Sequence, residues 1–208
     1  MKSGIDRLLA DPALRGAYIA DMFDIIAPRY DGFTRWFSFG MDARWKRWLI
    51  DRALAGLRAE ARVLDVACGT GDLARAVAAR LPAAQVAGID VAERMVALAR
   101  RLGPARCDFR VGDLMRLDAA PGSLDLVTAG YALRNTPDHR AALAGIARAL
   151  APGGRLAVLD FTRPRSAVWR WCFLTYLHAT GNLAGWWLHG DGAVYGYIAR
   201  SIAAFVDR

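Results

Sequence analysis

From about residue 61 the chain alternates short apolar, β-branched runs with Ala-, Leu- and Arg-rich stretches whose apolar positions recur every three or four residues. The runs predict strands at 62–67, 85–89, 108–111, 124–129 and 155–161, and the periodic stretches predict helices at 72–81, 92–102 and 138–150. The last of these helices is stopped by Pro152-Gly153-Gly154. Strand and helix alternating in this way predict βαβ units around a parallel sheet. Residues 12–58 read as helical throughout, with breaks at Pro28 and around Gly40. Within them Asp42 can N-cap a helix that places Trp45, Trp48, Leu49, Ala53 and Leu57 on one buried face. After Phe161 the pattern predicts an aromatic-rich helix, a turn at Gly181-Asn182 and a final helix from about 193 to 206. The 20 residues from Trp171 to Gly190 carry no Asp, Glu, Lys or Arg, the nominal length of a membrane span. The Gly181-Asn182 pair in their middle makes two segments the expected reading.

At 208 residues the chain suits one α/β domain with helical additions. The expected organisation is a helical cap over 1–60, a ligand-binding core over 61–161 and a helical lid over 162–208. The net charge is +8, but the 28 basic residues are scattered singly among 20 acidic ones. That arrangement fits solvated helix faces rather than nucleic acid, with attraction to an anionic membrane surface as the alternative. Cys68, Cys107 and Cys172 are far apart, have no metal-ligand spacing and suit a reducing cytoplasm. The first residues lack the apolar core of a signal peptide, so a cytoplasmic location is expected.

The sharpest local signal is Val63-Leu64-Asp65-Val66-Ala67-Cys68-Gly69-Thr70-Gly71-Asp72, a strand entering a glycine turn and then a helix. Gly69 and Gly71 would let backbone pass close to a ligand, and the helix start offers free N–H groups. Dinucleotide enzymes use the same device. Two carboxylates tilt the reading to S-adenosylmethionine. Asp65, inside the strand, can face an ammonium and would repel a pyrophosphate, although capping the next helix is its plain alternative. Asp90, with Val91 after it, ends the second strand, where it can accept both ribose hydroxyls. Asp113 and the Leu114 backbone, after the third strand, are placed for an adenine, or for an ordinary loop cap. Beyond the fourth strand come Gly130 and then Arg134-Asn135, where open α/β sheets bind ligands.

These residues resemble the UbiE-type C-methyltransferases of ubiquinone and menaquinone biosynthesis. The resemblance rests on Met22 to Asp31, Ser38-Phe39-Gly40-Met41 with Trp45, Asp65 to Asp72, and Gly88-Ile89-Asp90-Val91. It continues through Leu133-Arg134-Asn135, Pro152-Gly153-Gly154-Arg155 and Tyr195 to Ile202, all in the family's order. It implies a class I, Rossmann-like methyltransferase fold with a doubly wound, mostly parallel sheet. It also implies contacts to the cofactor at Thr70, Asp90, Asp113, Leu114 and Gly130, and puts Arg134-Asn135 beside the substrate ring. Thr34 and Leu117-Asp118-Ala119-Ala120 depart from the family's Asn and Pro-Phe and bear on acceptor identity. The family's sheet closes with an antiparallel strand pair that this sequence lacks, for which truncation is the expected reading and a sheet edge left open or borrowed from a partner the alternative.

The chemistry expected is methyl transfer to a prenylated hydroquinone, with Arg134 stabilising the phenolate and Asn135 orienting the ring oxygen. Tyr30 and Asp31 are candidate proton acceptors, beside a bound water or a histidine, and no metal is expected. O- or N-methylation of another small aromatic or lipid acceptor is the alternative, and a non-catalytic cofactor-binding subunit a further one. Trp169, Trp171, Phe173, Tyr176, Trp186 and Trp187, near Arg163, Arg165 and Arg170, suit a lid that touches lipid weakly. A homodimer is compatible with all of this.

Overall fold

The computed structural model describes residues 12–162, 164–189, 201–203 and 205, with backbone alone for 12–15, 17 and 182–189. The chain forms two compact units, Met1–Leu159 and Asp160–Arg208.

In the first unit, short apolar runs become β1 (Arg62–Val66), β2 (Gln85–Asp90), β3 (Cys107–Val111), β4 (Leu124–Gly130) and β5 (Leu150–Leu159). All pair in parallel in the order β3-β2-β1-β4-β5, so the order reverses at β1, between β2 and β4. Helices α1 (Pro12–Ile26), α2 (Tyr30–Phe37) and α3 (Met41–Leu54) precede the sheet. The crossovers carry α4 (Asp72–Arg80), α5 (Glu93–Leu102) and α6 (His139–Ala149), while β3 reaches β4 through a 3-10 turn at Leu114–Arg116 and a loop. The doubly wound parallel sheet is the expected fold. Among the described residues no antiparallel strand joins it.

The central strands are buried because helices cover them. Val63, Val86 and Leu126 pack with Leu73, Ala74 and Val77 of α4 and Val96 of α5. At the sheet edge, β5 is only partly covered. It starts earlier than the apolar run predicts, because Leu150 already pairs with Leu124. A register shift between Leu124 and Leu126 precedes the regular pairing with Arg155–Leu159, where the strand ends.

The cap differs from its pattern in two places. Asp42 lies inside the first turn of α3 and does not cap it. The N-cap is Gly40, in the left-handed conformation at φ +75°, and Ser38 Oγ accepts from the Asp42 amide at 3.1 Å. Trp48 is exposed, and Ile50 takes the buried position between Leu49 and Ala53. Asp24 of α1 accepts from the Arg94 amide at 2.8 Å, so the cap supplies an acceptor to the first turn of α5.

In the second unit, α7 runs unbroken over Ala167–His189. The turn expected at Gly181-Asn182 is absent. Each such residue costs a helix interior only about 1 kcal/mol or less, and nothing there removes an amide as proline would. Just before it, Thr180 bonds back to the Tyr176 carbonyl at 2.6 Å, a pattern compatible with helix. Even so, among the described residues no helix is long and apolar enough to cross a membrane. Trp169 and Trp171 are exposed, and Phe161 and Phe173 meet at 6.3 Å. The side chains of Trp186 and Trp187 and most of the expected 193–206 helix lie outside the described residues; 201–203 are helical.

Candidate active site

Where strand order reverses, the loops leaving β1 and β4 diverge and open a crevice at their carboxyl ends. The first loop turns through three positive φ angles, at Ala67 (+49°), Gly69 (+55°) and Gly71 (+78°). The two glycines serve different ends. A Cβ at Gly69 would meet nothing within 4 Å, so its backbone faces open space, as a ligand-binding turn requires. A Cβ at Gly71 would lie 2.6 Å from the Phe109 ring, so this glycine admits the core and its side-chain face is turned from the crevice.

Two buried carboxylates hold the loop. Asp90 Oδ2 accepts from Gly69 N at 2.8 Å and Oδ1 from Ala92 N at 2.9 Å, tying the β1 loop to the end of β2. Asp65 Oδ1 accepts from the Thr128 hydroxyl at 2.7 Å and Oδ2 from Ala74 N at 3.2 Å, joining β1, β4 and the start of α4. The bond to α4 is the helix-capping role weighed above. A carboxylate has about four lone-pair sites, so two bonds leave each group able to accept more. Burial is the main influence on both: it raises Asp90 above its ordinary range and pushes Asp65 up to about 7, against the opposing bond from Thr128.

Two pockets meet at Ala67. The larger, about 140 Å³, is walled by Ile19, Val91, Leu114 and Asn135, with Gly112 and Asp113 at its edge. Asp113 is exposed and caps the following turn, accepting from Met115 N at 2.8 Å. The smaller, about 30 Å³, is polar and lies among Tyr30, Lys46, Asp65, Thr70, Asp72 and Tyr131, with Gly69 and Gly130 at its floor.

Around the smaller pocket the cap delivers charge. The Thr70 hydroxyl bonds Asp31 Oδ1 at 2.9 Å, which joins two residues that the sequence suggests for different tasks. Lys46 Nζ sits 2.7 Å from Asp42 and 2.5 Å from Asp72, linking the cap to α4. Burial opposes its charge, but the two aspartates outweigh it and hold the ammonium above its usual range. Tyr131 donates to Asp42 at 2.8 Å, and burial together with that carboxylate pushes its phenol well up. Burial also raises Tyr30, against the opposing pull of Lys46 and Arg134.

Tyr131 also organises the β4 loop. Its φ is +58°, uncommon for a bulky residue. Its carbonyl accepts from Arg134 Nη1 and from Asn135 Nδ2, each at 3.0 Å. Lys46 and Arg134 both approach its ring, each 5.6 Å from the centroid. The structure thus brings Tyr30, Asp65, Gly69, Thr70 and Gly130 to one pocket, with Asp31 bonded to Thr70, and Val91, Asp113, Leu114 and Asn135 to the other. Arg134 is buried, behind the Tyr131 carbonyl.

Sequence reasoning misses Lys46, Tyr131 and the true use of Asp42. One signal was visible: Asp42, Lys46, Leu49, Ile50 and Ala53 lie at three- and four-residue spacings, so an ion pair interrupts a buried stripe. Among the described residues no group of three His, Cys, Asp or Glu is arranged to hold a metal.

The sequence profile of the ubiE/COQ5 methyltransferase family matches residues 12–208. The demethylmenaquinone methyltransferase of Thermus thermophilus is 41% identical over 187 residues, spanning 88% of this chain and 84% of that one. The ubiquinone/menaquinone biosynthesis C-methyltransferase UbiE of Syntrophotalea carbinolica is 38% identical over 192 residues, 90% of this chain and 79% of that one. Among solved structures, the cyclase SpnF superposes with a TM-score of 0.65 at 22% identity, covering 89% of this chain and 88% of that one. That last likeness speaks for the fold alone, since one fold carries several chemistries.

Proposed function

The chain belongs to the ubiE/COQ5 methyltransferase family and is a methyltransferase, and from this premise we propose that it transfers a methyl group from S-adenosylmethionine to a ring carbon of a prenylated hydroquinone. Relatives bearing demethylmenaquinone and ubiquinone/menaquinone names support that acceptor class.

The residues present fit the cofactor. The backbone at Gly69 opens onto space that a side chain would fill, and exposed Val91 and buried Leu114 offer apolar surface for a flat base in the larger pocket. Asp90 would receive the ribose hydroxyls, and Asp113 with the Leu114 backbone the adenine edge. Asp65, Thr70 and Gly130 would border the methionyl end, with Asp65 supplying the countercharge, while Gly71 would serve the turn by admitting Phe109 behind it. When bound, S-adenosylmethionine supplies an electrophilic methyl group on a sulfonium.

A hydroquinone carbon becomes nucleophilic when the neighbouring hydroxyl loses its proton. The cation that favours this state is Arg134, with Asn135 orienting the ring oxygen, and Tyr30 and Asp31 are the candidates to take the proton. The observation that supports the reading is the Tyr131 carbonyl, just past the end of β4, which accepts from both side chains and so keeps buried Arg134 beside Asn135. The protein acts in the cytoplasm at the inner face of the membrane, as a monomer or homodimer, without nucleic acid.

The test is transfer of labelled methyl from S-adenosylmethionine to a demethylated prenyl naphthoquinol and to the corresponding benzoquinol. Incorporation into either supports the reading. Incorporation into neither, with label passing to some other aromatic or lipid acceptor, refutes it.

A further inference from the structure

Helix α3 shows two unlike faces. Toward the core it turns Leu49, Ile50 and Ala53, all buried. Met41, Arg44, Trp48 and Arg52 follow one another at three- and four-residue spacing on the opposite face, and all four are exposed. The end of α2 adds Trp36 and the turn after it adds Phe39, 58% and 83% exposed. Phe39 holds φ +51°, a strained angle for an aromatic residue, and its ring stands in solvent. Exposed Arg35 and Arg47 flank this surface, and Arg52 stacks on Trp48 at 4.3 Å. The carboxylate beside them, Asp51, is paired with Arg80 at 2.9 Å. The face is therefore aromatic and cationic, with its neighbouring acid compensated.

We propose that the α2–α3 turn and the outer face of α3 form a docking surface for an anionic lipid bilayer, with Trp36, Phe39 and Trp48 entering the headgroup region and the arginines meeting lipid phosphate. Rings with apolar bodies and polar edges favour that depth, and arginine adds attraction that salt screens. Charge complementarity selects the bilayer over a second copy of this chain, since two copies would oppose the same cationic faces. The proposal extends the quinol reading but does not depend on it. The same helix carries Lys46, paired with Asp42, to the smaller pocket, so the lipid-facing side and that pocket share one rigid element.

The experiment is co-sedimentation with vesicles of phosphatidylglycerol and phosphatidylcholine, against phosphatidylcholine alone, over a salt series. Two variants are compared: Phe39→Asn/Trp48→Gln, in which asparagine tolerates the positive φ, and Arg44→Gln/Arg47→Gln. Wild type should pellet with anionic vesicles only, and less as salt rises. The arginine variant should bind roughly 25-fold more weakly, about fivefold per charge, and the aromatic variant at least tenfold more weakly, about one order for two lost rings. Both should keep wild-type thermal midpoints and wild-type turnover of a tail-less quinol in solution. No binding by wild type at low salt, or equal binding by all three proteins, overturns the proposal. So does light scattering that shows a dimer of wild type lost in either variant. Because the binding arm contains no acceptor, its outcome is independent of whether a quinol is methylated.

Discussion

The two walls of the crevice are built in opposite ways. On the β1 side the chain is held by main-chain amides that donate to two buried carboxylates, Asp65 and Asp90, and the shape is a property of the backbone. On the β4 side the shape depends on side chains reached across the chain: Tyr131 donates to Asp42 of the cap, which pairs with Lys46, and the Tyr131 carbonyl holds Arg134 and Asn135. A backbone-built wall suits a cofactor that never changes. A wall of side chains can be retuned for a different acceptor ring while the other wall stays as it is.

The largest effect expected from this contrast lies on the backbone side and concerns stability. Asp65 titrates near 7 when folded, against an ordinary 3.8. Between about pH 4 and 7 the folded carboxyl keeps a proton that the unfolded chain has shed, so stability is full below this window and falls as pH rises through it. The fall is as much as about 4 kcal/mol, from roughly three units at 1.36 kcal/mol each. Asp65→Asn should flatten the decline, which denaturant unfolding across the window measures. A wild-type curve already flat there would mean that Asp65 stays ionised.

Arg134→Ala comes next, on the β4 side proposed for the acceptor. Losing a donor aimed at developing charge lowers turnover on the order of a hundredfold or more, while cofactor affinity should hold. Calorimetry beside steady-state kinetics separates the two, and equal losses in both would erase the distinction between the walls. Asp90→Ala is the mirror experiment. It should weaken S-adenosylmethionine binding by about 1.5 to 3 kcal/mol and leave the acceptor KM in place. Tyr131→Phe is the mildest change, removing one hydrogen bond to Asp42 worth about 1 kcal/mol. Its signature is a several-fold drop in turnover with cofactor affinity unchanged; a loss of cofactor affinity instead would place Tyr131 on the wrong wall.

The backbone-built wall was also the legible one. Glycines, a strand-end Asp and the alternation of strand and helix are local signals, and they locate Gly69, Asp90 and the sheet order's consequence, a crevice past β1 and β4. Gly71 shows the limit of local reading, because only the fold reveals that Phe109 of β3 occupies the space beside it. The β4 wall was mostly hidden because its contacts span the chain. Tyr131 and Asp42 are separated by 89 residues, and nothing near either announces the other. Asp42 read as a cap because a polar residue at a helix start usually is one, whereas here the Ser38 hydroxyl takes that amide. Gly181-Asn182 misled in the same way, as turn-forming residues carried along inside a long helix.

The most direct test of the central claim is the position of the new methyl group in the product. Incubated with S-adenosylmethionine and a demethylated prenyl naphthoquinol under reducing conditions, the enzyme should yield a product whose proton NMR spectrum shows a new ring-methyl signal and has lost the ring proton of the acceptor carbon. A methoxy signal with that ring proton retained would contradict the account, because Arg134 and Asn135 would then be serving an oxygen nucleophile.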